Sequence, residues 1–171
     1  MKLTSTAFKQ GERIPSIYTC DGDNVNPPLE ITGVPHDAES LVLIMDDPDV
    51  PRHLREDGMW DHWLVFDMPP DTGTIEENSE PDGTPGTGTN ETTGYFGPCP
   101  PDREHRYFFK VFALDIGWIC RKKAPKQTWN RPWPAMSCSM PSSWAPMNEH
   151  NGGQVENRRK GTASLMTPLQ K

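Results

Sequence analysis

The sequence predicts an antiparallel β-sandwich, and two observations support this prediction. Short apolar or alternating runs recur along the chain, as in "SLVLIM", "HWLVFDM" and "HRYFFKVFALD". Stretches rich in Gly, Pro, Asn and Asp separate them, among them "CDGDNVNPP" and "DMPPDTGT". Strands at this spacing, joined by turn residues and with little helical periodicity, are typical of sandwiches.

The predicted strands differ in their expected burial. The run "SLVLIM" is continuously apolar and of strand length, so we expect it to be buried. The run "HWLVFDM" alternates between apolar and polar residues, which indicates a half-buried strand. The run "HRYFFKVFALD" is the strongest strand, because it is rich in aromatic residues and Val.

Charge is distributed unevenly along the 171 residues. Residues 1–116 contain 22 acidic and 8 basic residues, a net charge of −14, whereas residues 117–171 carry a net charge of +7. An acidic body repels phosphates, so nucleic acid is not an expected partner. No apolar run is long enough for a membrane span, and the N-terminal residues lack the apolar core of a signal peptide. We therefore expect a cytoplasmic protein.

Residues 117–171 differ in composition from the rest of the chain. They contain four of the six Trp and four of the eight Met but few branched aliphatic residues, and no hydrophobic period is visible. We therefore predict one β-sandwich domain at residues 1–116 and an atypical, poorly structured tail at residues 117–171.

The first chemical motif is "DDPDVP", where the first predicted strand runs directly into carboxylates. Asp47 and Asp49 flank Pro48, and Pro51 follows, so the turn is stiff at low entropy cost. Taken alone, Asp-Pro-Asp is common in ordinary turns, because Asp bonds to nearby backbone and Pro presets φ. Asp46 has no predicted role and is expected to be solvated.

Two further motifs each bring an imidazole to the edge of a strand. Trp60 and His62 lie in "MWDHW", at the start of the alternating run. His105 and Tyr107 are two residues apart in a strand, so they face the same side. Each motif alone is more often structural than functional. An acid, two imidazoles and a phenol together suit a small anion pocket, because His and Tyr donate hydrogen bonds to phosphate-type oxygens.

These motifs resemble the phosphatidylethanolamine-binding protein family, in particular its bacterial and archaeal branch, often labelled Raf kinase inhibitor-like. The resemblance covers about residues 1–116 and rests on "YTCDGDNVNPPLEI", "MDDPDVP", "WDHWLVFDMP", "GYFGPCPP" and "EHRYFFKVFALD". It implies a β-sandwich with a few short helices and a small anion pocket. It also implies a binding protein, not an enzyme, with no cofactor, no metal and no catalytic residues, since the motifs contain no nucleophile–base pair.

The resemblance implies a specific set of ligand-binding residues. They are Asp47, Trp60, His62, Gly97, Pro100, Pro101, His105 and Tyr107. Asp49 is expected to brace the loop, and Arg106 to point away from the pocket. Family members bind small anions, phosphorylated head groups or nucleotides, and some inhibit kinases or serine proteases. The expected partners are therefore a small anion or phosphorylated head group, a kinase or serine protease, and a second copy of the chain.

The cysteines of the motifs leave one question open. Cys20 and Cys99 lie in "YTCDG" and "GPCPP", so a bond between them is an alternative, but two buried thiols are expected in a cytoplasmic protein. The widely spaced Cys120 and Cys138 complete no Cys-x-x-Cys pair, which argues against a zinc site.

An enzyme is the alternative function. Asp47, His62 and His105 form a possible metal-binding set of two His and one carboxylate, which would imply a metal-dependent hydrolase or oxygenase. The resemblance disfavours this alternative, because the pocket of the family binds anions without a metal.

The tail is predicted to be a frameshifted translation of the usual C-terminal region. When the third base of each codon is read with the first two bases of the next, Trp118–Ile119 must encode Asp and Trp144–Ala145 must encode Gly. The residues forced in this way fit the tail of relatives. A frameshift near residue 116 accounts for the Trp and Met excess, the charge reversal and the missing periodicity. Resequencing the codons for Leu114–Cys120 tests the hypothesis.

Overall fold

The computed structural model describes residues 1–115 and the strand at residues 159–169. Its elements in chain order are β1 (Lys2–Thr4), a 3-10 helix (Ser16–Tyr18), β2 (Leu29–Thr32), β3 (Ser40–Asp47), β4 (Trp60–Met68), β5 (Thr74–Ile75), β6 (Thr84–Pro85), β7 (His105–Leu114) and β8 (Arg159–Leu169). Within these residues no helix has the length and apolar character needed to cross a membrane.

The strands form two antiparallel sheets. The small sheet has the order β1-β2-β5, and the large sheet has the order β6-β4-β3-β7-β8. In the large sheet β3 is central, pairing with β4 up to Asp47↔Trp60 and with β7 up to Asp46↔Phe108. The end of β3 and the beginnings of β4 and β7 therefore meet at one end of the large sheet.

One apolar core lies between the two sheets, and its burial supplies the main driving force for folding. The small sheet contributes Leu3, Leu29, Ile31 and Ile75. The large sheet contributes Leu41, Leu43, Met45, Trp63, Val65, Met68, Tyr107, Phe109, Val111 and Ala113. Two sheets packed over a shared core form a sandwich, so the predicted fold class is confirmed.

The outer face of the large sheet is also buried along β3 and β4. Val42, Ile44, Leu64 and Phe66 are all at most 7% exposed. The prediction of a buried β3 is therefore confirmed. The prediction of a half-buried β4 is wrong for its centre, because Trp63–Phe66 is buried on both faces.

Part of the predicted tail belongs to the large sheet. Arg159–Leu169 forms β8, which pairs antiparallel with β7 from His105↔Leu169 to Leu114↔Arg159. Residues 116–158 and 170–171 lie outside the described residues. The frameshift and the boundary near residue 116 therefore stay predictions.

Candidate functional site

Polar side chains of all the chemical motifs meet at one end of the core. Asp47 continues the inward-facing series of β3, and His105 and Tyr107 continue that of β7. Trp60 lies directly opposite Asp47 in the β3–β4 ladder, so it shares the inner face. The candidate site is therefore built on three adjacent strands of one sheet.

A β-bulge turns His62 toward this site. The β3–β4 register shifts between Met45 and Asp46, which leaves His62 as the extra residue on β4. Its ring meets the Tyr107 ring edge-on, with centroids 5.3 Å apart, so it lies on the inner face. Strict alternation would have placed His62 on the face opposite Trp63. The bulge therefore lets both neighbours face inward.

His105 connects two carboxylates. Its Nδ1 lies 2.7 Å from Asp47 Oδ2, and its Nε2 lies 2.9 Å from Asp102 Oδ1. The side chains of His105 and Asp47 are buried, whereas that of Asp102 is 42% exposed. Asp47 Oδ1 also accepts the N–H of Asp49 at 2.8 Å. Burial raises the pKa of Asp47, and the hydrogen bonds from Asp49 and His105 oppose this shift.

His62 is held in the neutral form. Its Nδ1 donates to the carbonyl oxygen of Phe96 at 2.7 Å, and its ring stacks on the Phe96 ring. Burial lowers the pKa of His62 to about 4, although the carbonyl partner acts in the opposite direction. With the proton on Nδ1, the other ring nitrogen is a hydrogen-bond acceptor.

Trp60 contributes a buried donor to the site. Within the described part of the chain, its Nε1 is buried and has no hydrogen-bond partner. Leaving such a donor unsatisfied costs free energy, so each case calls for an explanation. The Trp60 ring lies 6.4 Å from the His62 ring, centroid to centroid, which places the indole beside the imidazole.

Gly97 is packed tightly against the loop that follows the 3-10 helix. Its N–H donates to Asn24 Oδ1 at 2.8 Å. A Cβ at this position would lie 2.4 Å from the carbonyl oxygen of Tyr18, so any side chain would clash with backbone. Tyr95 donates its hydroxyl to the same carbonyl at 2.7 Å. This packing fixes the position of the neighbouring carbonyl of Phe96.

A disulfide joins the same two loops. Cys20 and Cys99 are bonded, with their Cα atoms 5.4 Å apart, and both residues are exposed. The expectation of two buried thiols is therefore wrong. The physical reason is the close approach of the loops around Gly97, where the Cys20 N–H also donates to the Pro98 carbonyl at 3.1 Å.

Pro100 and Pro101 of the predicted set differ from each other in burial, and neither takes part in the side-chain contacts described above. Pro100 is buried, whereas Pro101 is exposed and directly precedes Asp102. The direct contacts of the site connect Asp47 with His105 and connect His62 with Tyr107, Trp60 and the segment before Gly97.

Asp49, which was predicted to brace the loop, contacts Arg106 near the start of β7. Its carboxylate accepts the backbone N–H of Arg106 at 2.9 Å and two guanidinium N–H groups at 2.8 and 2.7 Å. These hydrogen bonds hold the pKa of Asp49 below its ordinary value. Arg106 is exposed, so its guanidinium ties the loop after β3 to β7 from the solvent side.

Asp46 is not solvated, which corrects the sequence-based expectation. It is buried on the outer face and forms an ion pair with Lys110, whose Nζ lies 5.3 Å from the centroid of the Phe108 ring. Alternation along β3 turns Asp46 away from the site, and alternation along β7 places Lys110 on that same side.

Sequence reasoning missed three groups that shape the site. Asp102 lies three residues before His105 in "PPDREHRY", and this spacing was the available signal. Asn24 lies in a stretch that indicates only a turn. The Phe96 carbonyl leaves no signal in a sequence, because every residue has one.

The alternative metal site is not assembled by these contacts. Among the described residues, no group of three or more His, Cys, Asp or Glu is arranged to hold a metal ion. Both nitrogens of His105 already lie beside carboxylates, and Nδ1 of His62 is bonded to a carbonyl.

The model of the phosphatidylethanolamine-binding protein family matches residues 4–154 of the chain. The chain belongs to the phosphatidylethanolamine-binding protein family. The family match extends past residue 116, where the resemblance by motifs ends. The family assignment made from the motifs is therefore confirmed.

Relatives in the family include bacterial and archaeal proteins. A UPF0098 protein of Chlamydia trachomatis is 47% identical over 116 residues, which is 68% of this chain and 77% of the relative. A UPF0098 protein of Methanothermobacter thermautotrophicus is 50% identical over 121 residues, covering 67% of this chain and 77% of the relative.

Solved structures of the family share the fold. The crystal structure of a phosphatidylethanolamine-binding protein homologue from Chlamydia trachomatis superposes with a TM-score of 0.79 at 36% identity, covering 99% of this chain and 97% of the other. Escherichia coli YbcL, a member of the mammalian PEBP family, superposes with a TM-score of 0.68 at 24% identity, covering 99% and 98%. The second similarity supports the fold alone.

Proposed function

We propose that this protein is a non-enzymatic binding protein whose pocket takes a small phosphate-type anion or a phosphorylated head group. The observation that carries the proposal is the buried Nε1 donor of Trp60, which has no acceptor among the described residues and whose ring lies beside the His62 imidazole. An oxyanion provides the acceptor that this N–H lacks, and hydrogen bonds to a charged acceptor are the stronger kind.

The two imidazoles suit different parts of such a ligand. Both ring nitrogens of His105 face carboxylate oxygens, which accept hydrogen bonds, so the doubly protonated imidazole donates from Nδ1 to Asp47 and from Nε2 toward the more exposed side of the site. His62 presents an acceptor nitrogen, since its proton is bonded to the Phe96 carbonyl. A phosphate group carries both unprotonated oxygens and, in its monoprotonated forms, a P–OH donor. This mixture of donors and acceptors favours phosphate over a fully ionised oxyanion.

The wider roles follow from family membership. Inhibition of a kinase or a serine protease is proposed on that ground alone, and a panel of such enzymes tests it. A homodimer is proposed on the same ground.

The exposed disulfide between Cys20 and Cys99 counts against a cytoplasmic location, because disulfides persist mainly in oxidising compartments.

Calorimetric titration with inorganic phosphate and with phosphorylethanolamine tests the pocket. We expect His105→Ala and His62→Ala to weaken binding at least about tenfold, because each removes a polar contact in a buried site. His36→Ala is the matched control, since His36 is exposed and precedes β3, whose far end carries Asp47. Equal affinity in all four proteins would remove the pocket assignment.

A more conservative variant keeps the test usable if removing a buried His prevents folding. Trp60→Phe keeps an aromatic ring and removes the N–H alone. We expect phosphate to bind about three- to tenfold more weakly, while the free protein becomes no less stable, because an unsatisfied donor has been removed. Unchanged phosphate affinity with unchanged stability would contradict the role given to this donor.

A further inference from the structure

We propose that Asp102 is a built-in competitor of the ligand: its carboxylate occupies the Nε2 donor of His105, and an anion binds there by displacing it. This inference rests on the proposed function. It adds an affinity-determining residue that lies outside the predicted pocket set.

The contact uses the donor that a ligand needs. Asp102 Oδ1 lies 2.9 Å from Nε2 of His105, while the opposite ring nitrogen is engaged by Asp47. Each ring nitrogen carries at most one hydrogen, so a good hydrogen bond from Nε2 serves one acceptor at a time. A ligand oxygen and the Asp102 carboxylate would also repel each other at this distance, because both are negative.

The two carboxylates beside His105 differ in how firmly they are held. Asp47 is buried and also accepts the N–H of Asp49. Asp102 lies in the segment between Pro101 and β7, and its side chain is 42% exposed. Returning a half-exposed carboxylate to water costs little, whereas exposing Asp47 would disrupt the end of β3. Asp102 is therefore the partner that a ligand replaces.

Arg103 gives Asp102 a second partner. Its guanidinium lies 2.9 Å from Asp102 Oδ2 and 3.4 Å from the carbonyl oxygen of Asp49, and its side chain is 62% exposed. When the bond to His105 is broken, the Asp102 carboxylate keeps this ion pair in solvent. The hydrogen bond from His105 holds the pKa of Asp102 below its ordinary value, so the competitor is ionised near neutral pH.

Competition of this kind sets a threshold on affinity. The apparent dissociation constant equals the intrinsic one divided by the fraction of molecules in which Asp102 has left His105. An anion that bonds only to His105 gains too little free energy to offset the loss of the Asp102–His105 hydrogen bond. A phosphate that also accepts the Trp60 N–H gains enough. Removing Asp102 should therefore tighten binding, although it removes a residue from the edge of the site.

Phosphate titration of Asp102→Ala and Asp102→Asn tests the inference. We expect about tenfold tighter binding for Asp102→Ala and a smaller gain for Asp102→Asn, whose side chain keeps an acceptor oxygen without the charge. Glu104→Gln is the matched control. It removes one negative charge from the same segment, and its carboxylate is not one of those bonded to His105. We expect it to change affinity less than about twofold.

The outcomes separate the competitor from the pocket. Suppose that wild type and Asp102→Ala bind phosphate equally, and that adding His105→Ala weakens phosphate binding in each of them. Asp102 then does not compete with the ligand, while the proposed pocket is retained. If Asp102→Ala binds more weakly, Asp102 is a ligand contact and the inference is wrong. If no variant binds phosphate, the proposed function is overturned and the inference with it. Nitrogen NMR of His105 gives a second measure: phosphate should change the Nε2 signal of wild type, and Asp102→Ala should change it without phosphate.

Discussion

Asp46 and Asp47 are adjacent on β3 and both are buried, yet one forms a structural ion pair and the other belongs to the candidate site. Asp47 faces inward and contacts His105 in the candidate site. Asp46 faces outward and pairs with Lys110 on the opposite side of the sheet. Burial raises the pKa of both carboxyl groups. Because successive strand residues point to opposite faces, one dipeptide supplies both a site residue and a structural ion pair.

The difference lies in the partners. Lys110 brings a single charged group, and beyond it one oxygen of Asp46 is buried with no hydrogen bond from the described residues. His105 brings a ring with a second nitrogen, so Asp47 is connected through it to the exposed side of the site. Lys110 therefore has no second ring atom to present to a ligand, whereas the imidazole that Asp47 orients presents its other nitrogen to one.

The largest expected effect is that of acidification on stability, and it arises from His62 on the inner face of the large sheet. His62 has a folded-state pKa of about 4 against an ordinary value of 6.5. The unfolded state therefore binds more protons in this window, and the free energy of unfolding falls as pH falls from about 6.5 to about 4. The shift corresponds to on the order of 3 kcal/mol. Urea unfolding across this window measures it.

The carboxyl groups act with the opposite sign. Asp46 and Asp47 have raised folded-state pKa values, so their contribution to stability is lost as pH rises through those values. A His62→Gln variant isolates the imidazole from them, because its stability profile should lack the fall toward pH 4. Parallel profiles for wild type and His62→Gln would show that His62 is not buried in the neutral form.

The second test compares the neighbouring carboxylates directly by phosphate titration. We expect Asp47→Asn to weaken phosphate binding about ten- to a hundredfold, because His105 loses its charged partner. Asp46→Asn removes the same charge one residue away, and we expect it to change affinity less than about twofold. Similar losses in both variants would mean that net charge, not the contact with His105, controls binding.

The third test concerns the outer ion pair. Asp46→Leu should lower the free energy of unfolding by about 2 kcal/mol, because Lys110 loses its partner and is only partly exposed. The double variant Asp46→Leu/Lys110→Met should recover part of this loss, since a buried ion pair is often replaceable by apolar residues. Denaturant unfolding of wild type, Asp46→Leu, Lys110→Met and the double variant measures the cycle, and strictly additive losses would contradict the coupling.

Much of the fold and of the candidate site was predictable from local patterns. The continuous apolar run of β3 predicts a buried strand, and spacing alone places His105 and Tyr107 on one face. The family motifs name Asp47, Trp60 and His62, and the structure brings these residues to the same end of the core. Such features depend on neighbours in the chain, so the sequence carries them directly.

The tertiary structure decided the features that depend on register and on distant contacts. The bulge that turns His62 inward arises from how β4 pairs with β3, and no local period reveals it. The disulfide joins residues 79 positions apart because two loops pack around a glycine. The contact of Asp102 with His105 likewise depends on how the segment before β7 folds back on the strand end. A sequence determines which faces are apolar, whereas the pairing of strands and loops determines which polar groups meet.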